Sequence, residues 1–294
     1  MKALLVRSGG LGDTALSLFA AQWLSSAMGH DVTVMVQRRH IQLAWLFGFD
    51  AVSEEECDFQ SVFSTPSSRL VDALTPFDTV IAIKKETGNL SEGVNGAFAR
   101  ITPLPPLDCA LPYPMFIIHG AASALGIDPP QKLPRLEPKI KWTQTLSRHL
   151  VFAVGSGSLA KNWPLRNFMK LVEIARASGF DKFTAIIGPA EMERDPSAIK
   201  SLSAISGVSA LIAPSLLDLA SAIAGASVFV GADSGVTHLA ALIGTPTIAL
   251  FGPTNPVVWR PAGDIVTVIQ ATSGRMDDID AKRVVEAIIR AERY

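Results

Sequence analysis

The sequence is poor in cysteine, nearly free of net charge and without any long hydrophobic run. Two cysteines in 294 residues exclude a disulfide scaffold, give no spacing for a zinc site and favour a reduced, cytoplasmic compartment. The 26 Lys and Arg residues balance 27 Asp and Glu residues, which leaves no basic footprint for nucleic acid. No run reaches the roughly 18 apolar residues that a transmembrane helix needs, so no membrane span is predicted.

What the chain has in quantity is apolar residues, at 48% of the sequence against 18% charged residues, which is enough for a substantial core. Apolar strands alternate with helical segments in both halves, and this alternation predicts an α/β protein with doubly wound parallel sheets. Four prolines between residues 128 and 147 mark the best domain boundary. We therefore predict domains at 1–135 and 136–277, followed by an amphipathic helix within 278–294.

The individual elements follow from apolar periodicity and from glycine and proline stops. In the first domain we predict strands at Lys2–Arg7, Val32–Val36 and Thr79–Ile83, and helices at Thr14–Met28, Ile41–Phe47, Ser68–Leu74 and Tyr113–Leu125. Residues 53–68, rich in acidic and polar side chains, are predicted to form a surface loop. In the second domain we predict strands near 150–154, 183–187, 208–212, 228–230, 247–251 and 265–269, and helices near 165–178, 191–205, 215–225 and 235–243.

The stretch from Val228 to Pro256 predicts a strand, a tight glycine turn, a helix and a second strand. The turn contains Asp233 and Ser234 between two glycines. A helix that starts after such a turn presents free N–H groups and the positive end of its dipole, so it is suited to bind an anion. The alternative is an ordinary βαβ unit in which Asp233 or Ser234 caps the helix.

A second glycine-rich turn, formed by Gly9, Gly10 and Gly12, joins the first strand to its helix. Its spacing matches neither the dinucleotide-binding fingerprint nor a P-loop. Glycines allow another molecule or domain to approach the backbone closely. Asp13, which follows directly, is placed to act as a general base at the end of the strand, or simply to cap the helix.

A third turn, within residues 155–158, again follows a predicted strand and precedes Lys161. Ser156, Gly157 and Ser158 offer hydroxyl and backbone donors, and the Lys161 ammonium would offset negative charge, so the set suits a phosphate group. A solvated loop lysine is the alternative for Lys161.

Three motifs, VRSGGLGD, GSGSLAKNWP and DSGVTHLAALIGTPTIALFGPTNP, occur in this order along the chain. Together they resemble glycosyltransferase family 9, the heptosyltransferases of lipopolysaccharide core assembly. The resemblance implies the GT-B fold, in which two Rossmann-like domains face each other across a cleft, the first binding the acceptor and the second the nucleotide sugar. It also implies inverting transfer without a metal, usually of heptose from ADP-heptose, with the nucleotide sugar as substrate and no cofactor.

The implied partners are a nucleotide-sugar donor and a saccharide or glycolipid acceptor, at the cytoplasmic face of the inner membrane. The last helix is expected to pack back toward the first domain, as is common in GT-B enzymes. The first domain is short for a heptosyltransferase, which leaves the donor sugar and the acceptor open. Two alternatives also stay open: a GT-B nucleotide-sugar epimerase, which needs no acceptor, and a protein that holds a nucleotide sugar without turnover.

The resemblance also implies roles for single residues. Asp13 matches the catalytic carboxylate, Lys161 matches the lysine that contacts the donor diphosphate, and Gly9, Gly10 and Gly12 would form an acceptor-side loop. The implied donor-binding residues are Ser156, Gly157, Ser158, Glu191, Glu193, Asp233, Ser234, Gly235, Val236, Thr237, His238, Gly252 and Thr254, with either Glu191 or Glu193 at the ribose. Candidates for an anionic acceptor are Lys84, Lys85, Arg38 and Arg39. Capping, packing and solvated surface charge are the simpler explanations for these residues.

Overall fold

The computed structural model describes residues 1–142, 147–194, 202 and 205–291. The chain divides into two compact units, Met1–Ile140 and Lys141–Tyr294. The predicted boundary at residue 135 therefore falls a few residues short. The reason is that the segment after it stays attached to the first unit, because Leu136 is buried and the Lys139 N–H donates to the Leu46 carbonyl at 2.7 Å.

The first unit is built on a sheet of five parallel strands in the order β3-β2-β1-β4-β5. The strands are β1 (Lys2–Val6), β2 (Asp31–Val36), β3 (Asp50–Ser53), β4 (Thr79–Ile83) and β5 (Ala97–Ile101), and the helices are α1 (Leu11–Met28), α2 (Ile41–Leu46), α3 (Ser68–Leu74) and α4 (Tyr113–Leu125). The central strand β1 is apolar and buried because both its faces are covered. All carboxyl ends meet at one edge of the sheet, so the residues that follow the strands lie together there.

The second unit is built on a sheet of six parallel strands in the order β11-β10-β9-β6-β7-β8. Its strands are β6 (His149–Ala153), β7 (Lys182–Ile187), β8 (Val208–Ile212), β9 (Val228–Ala232), β10 (Thr247–Phe251) and β11 (Val266–Gln270). Its helices are α5 (Leu165–Ala177), α6 (Pro189–Arg194), α7 (Leu216–Ala224), α8 (Gly235–Ile243), α9 (Pro256–Trp259) and α10 (Ala281–Ala291). Again the glycine turns lie at the carboxyl edge, after β6 and β9.

The prediction of a surface loop over residues 53–68 is only partly right. This segment contains a 3-10 turn, Phe59–Phe63, whose Phe59 and Val62 side chains are buried in the core of the first unit. The few apolar residues here show no regular period, and the neighbouring Phe63 is exposed, so the pattern could not show that Phe59 and Val62 are anchors. The short strands β3 and β5 were missed for a related reason, since each is only partly buried.

The last helix, α10, packs within the second unit, and the expectation that it also reaches back toward the first domain stays a prediction. Val284, Val285 and Ile288 on α10 are buried in the core of the second unit, where the helix packs against α5. The Trp163 indole N–H donates to the Ile279 carbonyl at 2.9 Å and fixes the approach to this helix. An amphipathic helix needs an apolar partner, and here its own unit provides one.

Two predicted helices extend beyond the described residues. Residues 195–201, 203 and 204 of the helix predicted near 191–205 lie outside them, as does everything after Ala291. Within the described ranges, no helix is both long enough and apolar enough to cross a bilayer.

Candidate functional site

The glycine turn between β1 and α1 carries Asp13 in the first turn of the helix. The helix begins at Leu11 rather than near Thr14, because the Thr14 N–H already donates to the Gly10 carbonyl at 3.1 Å. Asp13 Oδ2 accepts from the Gly10 N–H at 2.8 Å, so the capping role is present. Gly9 has φ +149°, and a Cβ there would lie 2.6 Å from Asp13 Oδ2. This turn therefore requires glycine at residue 9.

Arg7 holds the other oxygen of Asp13. Its Nη2 donates to Asp13 Oδ1 at 2.5 Å, while its Nη1 donates to the Ile83 carbonyl at 3.3 Å. Each carboxylate oxygen keeps a further lone pair, and the side chain of Asp13 is partly exposed whereas that of Arg7 is buried. The carboxylate is thus fixed in orientation and still reachable from solvent. Sequence reasoning missed Arg7, although a charged residue directly after an apolar strand was a usable signal.

Two buried titratable residues lie close to this ion pair. The Thr14 hydroxyl is 3.2 Å from His40 Nδ1. Burial lowers the pKa of His40 to about 4, with a smaller lowering from Arg39 and opposing contributions from Asp13 and Glu55. Burial raises the pKa of Tyr113 to about 12; the Arg7 charge opposes this rise and the Asp13 charge adds to it. Both side chains are therefore neutral at pH 7.

The second unit brings together three of the predicted residues. Asp233 follows β9, and its N–H donates to the Leu250 carbonyl at 3.1 Å. Lys161 ends a 3-10 turn, Leu159–Lys161, and its Nζ lies 3.2 Å from Asp233 Oδ2. His238 lies on α8, with Nε2 3.8 Å from Asp233 Oδ1. Lys161 and Asp233 are 72 positions apart in sequence, so only the sheet brings them into contact.

Asp233 stays ionised in this cluster. Burial by itself raises its pKa, but hydrogen bonding to His238, the charges of Lys161 and His238, and the Thr254 hydroxyl together lower the pKa below its usual value. Thr254 Oγ1 is nonetheless buried without a hydrogen bond of normal geometry among the described residues. The ion pair with Lys161 at 3.2 Å is the closest of these contacts, since His238 lies at 3.8 Å.

The N-terminus of α8 lies beside the Lys161–Asp233 pair and has the features of an anion site. Ser234 occupies the N-cap position without a side-chain cap, and Gly235 and Val236 begin the helix partly exposed. Their N–H groups have no partner within the helix. The Thr237 hydroxyl instead points inward, donating to the Ala232 carbonyl at 2.5 Å. Backbone donors, rather than the Thr237 side chain, are thus available here.

The turn after β6 is partly engaged in its own structure. Ser156 Oγ lies 2.7 Å from both the Ser158 carbonyl and Asn162 Oδ1, and it can donate to only one of them at a time. Gly157 and Ser158 are exposed. Asn162, which sequence reasoning did not single out, organises this turn.

Of the two predicted ribose glutamates, only Glu191 lies at the sheet edge. A Cβ on Gly155 would fall 1.9 Å from Glu191 Cδ, and one on Gly188 would fall 2.6 Å from its Oε2, so the carboxylate lies directly on both turns. Glu193 is exposed. Gly252, by contrast, is a packing glycine, since a Cβ there would lie 2.6 Å from Met276 Sδ.

The cationic candidates of the first unit are mostly paired. Lys84 contacts Glu54 and Ser8, Arg38 contacts Glu56 at 3.7 Å, and Arg39 Nε donates to Gln37 at 2.9 Å. Lys85 is exposed. Within the part of the chain that the structure describes, no group of three or more His, Cys, Asp or Glu residues could hold a metal ion.

Two solved proteins have this arrangement of parallel sheets. An E. coli heptosyltransferase solved with ADP is similar over 99% of this chain and 100% of its own, with a TM-score of 0.76 at 20% identity. The E. coli ADP-heptose lipopolysaccharide heptosyltransferase II is similar over 100% of this chain and 99% of its own, with a TM-score of 0.78 at 18% identity. The chain therefore has the GT-B fold, as predicted.

The family follows from sequence. The model of glycosyltransferase family 9 (heptosyltransferase) matches residues 121–289, more than half of the chain. The chain belongs to glycosyltransferase family 9. Lipopolysaccharide heptosyltransferase 1 of Pseudomonas aeruginosa is 35% identical over 108 residues, which cover 37% of this chain and 30% of that protein. The chain spans less than half of the length of the curated relatives it matches.

Proposed function

We propose that this protein transfers heptose from ADP-heptose to a saccharide acceptor, with inversion and without a metal. The observation that carries the proposal is the Lys161–Asp233 pair beside the free N-terminus of α8. An ammonium held in place next to backbone N–H donors suits a diphosphate. The similar solved proteins, a heptosyltransferase with ADP and an ADP-heptose heptosyltransferase, support ADP-heptose as the donor.

The proposed reaction is a single displacement. The acceptor hydroxyl attacks the anomeric carbon while the bond to the diphosphate oxygen breaks, and direct attack from the opposite face inverts the configuration. Asp13 takes the proton of the acceptor hydroxyl, since its side chain is held by Arg7 and stays partly exposed. Lys161 and the first N–H groups of α8 stabilise the negative charge that develops on the leaving ADP. The proton ends on Asp13 and the electron pair on ADP.

Glu191 is proposed to bind the donor ribose. Its carboxylate lies on the Gly155 and Gly188 turns at the carboxyl ends of β6 and β7, where it can accept from ribose hydroxyls. A lipopolysaccharide-type acceptor would bring the protein to the cytoplasmic face of the inner membrane as a peripheral partner.

The direct test incubates the protein with ADP-heptose and candidate acceptors in EDTA, and identifies the products by NMR. We expect ADP and a glycoside of inverted anomeric configuration. Retained configuration, or activity only after a divalent metal is added, would contradict the mechanism. An epimerase would instead return a rearranged nucleotide sugar without any acceptor, and a non-catalytic binding protein would leave ADP-heptose unchanged.

A further inference from the structure

Three polar residues follow three different strands of the first sheet and meet at its carboxyl edge. Ser8 lies just after β1, Glu54 directly after β3 and Lys84 directly after β4. The Ser8 hydroxyl donates to Glu54 Oε1, and Lys84 Nζ donates to the Ser8 hydroxyl at 2.5 Å. Lys84 Nζ also lies 3.7 Å from Glu54 Oε1. We call Ser8, Glu54 and Lys84 the polar triad.

The polar triad adjoins the proposed base. Ser8 belongs to the same turn as Gly9 and Gly10, and the Gly10 N–H donates to Asp13 Oδ2. Arg7, one residue earlier, binds both Asp13 and the carbonyl of Ile83, the residue before Lys84. The triad and the base are thus linked through consecutive residues on two neighbouring strands. A molecule whose hydroxyl reaches Asp13 would have its neighbouring groups beside the triad.

The polar triad is electrically balanced and only partly covered. The side chains of Lys84 and Glu54 are 15% and 12% exposed. Burial lowers the pKa of Lys84, an effect that Glu54 opposes and Arg7 reinforces. The ring of Phe59 lies 4.0 Å below the ammonium and covers its inner side. An ammonium has three N–H donors; among the described residues the Ser8 hydroxyl accepts from one of them, while Glu54 at 3.7 Å makes an ion pair.

The loop that follows β3 brings acidic rather than basic side chains to the polar triad. The segment 53–68 contains Glu54, Glu55, Glu56 and Asp58 but no lysine or arginine. The nearby Arg38 is occupied, because its side chain contacts Glu56 and its backbone N–H donates to Glu55 at 2.9 Å. An anionic group at the triad would compete with Glu54 for the one ammonium and would approach an acidic loop.

We propose that the polar triad is the acceptor subsite and that it binds the hydroxyl groups of a neutral saccharide. A balanced pair presents a donor, the Lys84 ammonium, next to an acceptor, the Glu54 carboxylate. A sugar hydroxyl donates and accepts at once, so neighbouring hydroxyls fit this pair without displacing a charge. The inference rests on the proposed function, because it takes Asp13 as the base that faces the acceptor.

The test compares acceptors that differ in charge, with ADP-heptose as donor. Methyl heptoside and methyl glucoside serve as neutral acceptors, and methyl glucuronide and glucose 6-phosphate as acidic ones. We expect transfer to a neutral acceptor with kcat/KM at least about tenfold above that for the acidic ones. Preference for the carboxylate or the phosphate, or failure to use either neutral sugar, would overturn the inference.

Variants of the triad residues test their role in acceptor binding. Lys84→Met and Glu54→Gln should each lower kcat/KM for the neutral acceptor by about tenfold or more, mainly through KM. Lys132→Met, exposed elsewhere in the first unit, is the matched control and should stay within about twofold of the parent protein. Equal losses in Lys84→Met and Lys132→Met, or an unchanged acceptor KM in both triad variants, would contradict the subsite.

The Glu54→Gln, Lys84→Met double variant guards against a folding artefact, because it removes both charges together and leaves no unpaired ion. It should melt near the parent temperature and still show the raised acceptor KM; a parent-like acceptor KM in a folded double variant would overturn the inference. ADP binding and the slow hydrolysis of ADP-heptose by water should be unchanged in every triad variant. If the parent protein itself does not bind ADP, the proposed function is wrong.

Discussion

The two units each place an ion pair at the carboxyl edge of a parallel sheet, and the burial of the two partners is reversed between them. In the first unit the acid, Asp13, is 35% exposed and the cation, Arg7, only 8%. In the second unit the cation, Lys161, is 23% exposed and the acid, Asp233, only 9%. The partner that remains accessible decides what each edge can offer: a carboxylate in the first unit and an ammonium in the second.

This reversal divides the proposed chemistry between the units. A reachable carboxylate held by a buried cation is suited to take a proton. A reachable ammonium held by a buried acid is suited to bind a phosphate. The buried partners, Arg7 and Asp233, then act as positioning residues, and the comparison predicts different consequences for changes in the two pairs.

The largest effect is expected for Asp13→Asn. The amide keeps the shape and can still cap α1, but it cannot take a proton, so transfer should fall by about 10²–10⁴-fold. The melting temperature should fall by a few degrees, because the single carbonyl oxygen of Asn can keep the contact with Arg7 or the one with the Gly10 N–H, while its NH2 group cannot accept the other. Asp72→Asn, on the exposed side of α3, is the control and should leave the rate unchanged. Near-normal turnover of Asp13→Asn with a proven acceptor would show that Asp13 is only a cap.

A smaller effect is expected for Arg7→Gln. Without the guanidinium, Asp13 loses its contact at Oδ1 and its link to Ile83, and a loosely placed base should slow transfer by about tenfold to a hundredfold. Arg7→Lys keeps the charge and should recover part of that loss. Arg100→Gln, exposed on β5, is the control. Steady-state kinetics should show the change in kcat with donor KM unaltered; an equal change in donor KM would place Arg7 in the donor site.

The smallest effect concerns the pH dependence of stability and His40, the neutral residue near the Arg7–Asp13 pair. The pKa of His40 is about 4 in the fold against an ordinary value of 6.5. The unfolded chain therefore takes up the proton first as pH falls, and stability is lost between about pH 6.5 and pH 4. Over this pH range the melting temperature of His40→Gln should fall by a few degrees less than that of the parent protein. The loss should not vanish, because burial also lowers the pKa of His149. If the melting temperatures of the parent protein and of His40→Gln fall in parallel with pH, the assignment of this loss to His40 is wrong.

The local parts of both sites could be predicted from sequence, because a strand, a glycine turn and a helix are neighbours along the chain. The strands β9 and β10 and the helix α8 fall where apolar periodicity and Gly244 placed them, and the family resemblance is confirmed by the family model. The roles of Asp13, Lys161 and the donor-binding residues stay predictions.

What could not be predicted depends on long-range contacts. Ser8 and Lys84 are 76 positions apart and meet only because β1 and β4 are adjacent in the sheet. The choice between Glu191 and Glu193 depends on helix rotation. At about 100° per residue, two positions place them on different sides of α6. Only the structure shows that Glu191 lies against Gly155.

From the reversed burial we infer that proton transfer belongs to the first unit and anion binding to the second. Isothermal titration of ADP in EDTA against Asp13→Asn, Lys161→Ala and a control, Lys170→Ala on the exposed face of α5, tests this division most directly. We expect Asp13→Asn and Lys170→Ala to bind ADP within about twofold of the parent protein. Lys161→Ala should bind about 10–150-fold more weakly, as expected for the loss of about 1.5–3 kcal/mol from a charged hydrogen bond. Normal ADP binding by Lys161→Ala, or an equal loss in Asp13→Asn, would contradict it.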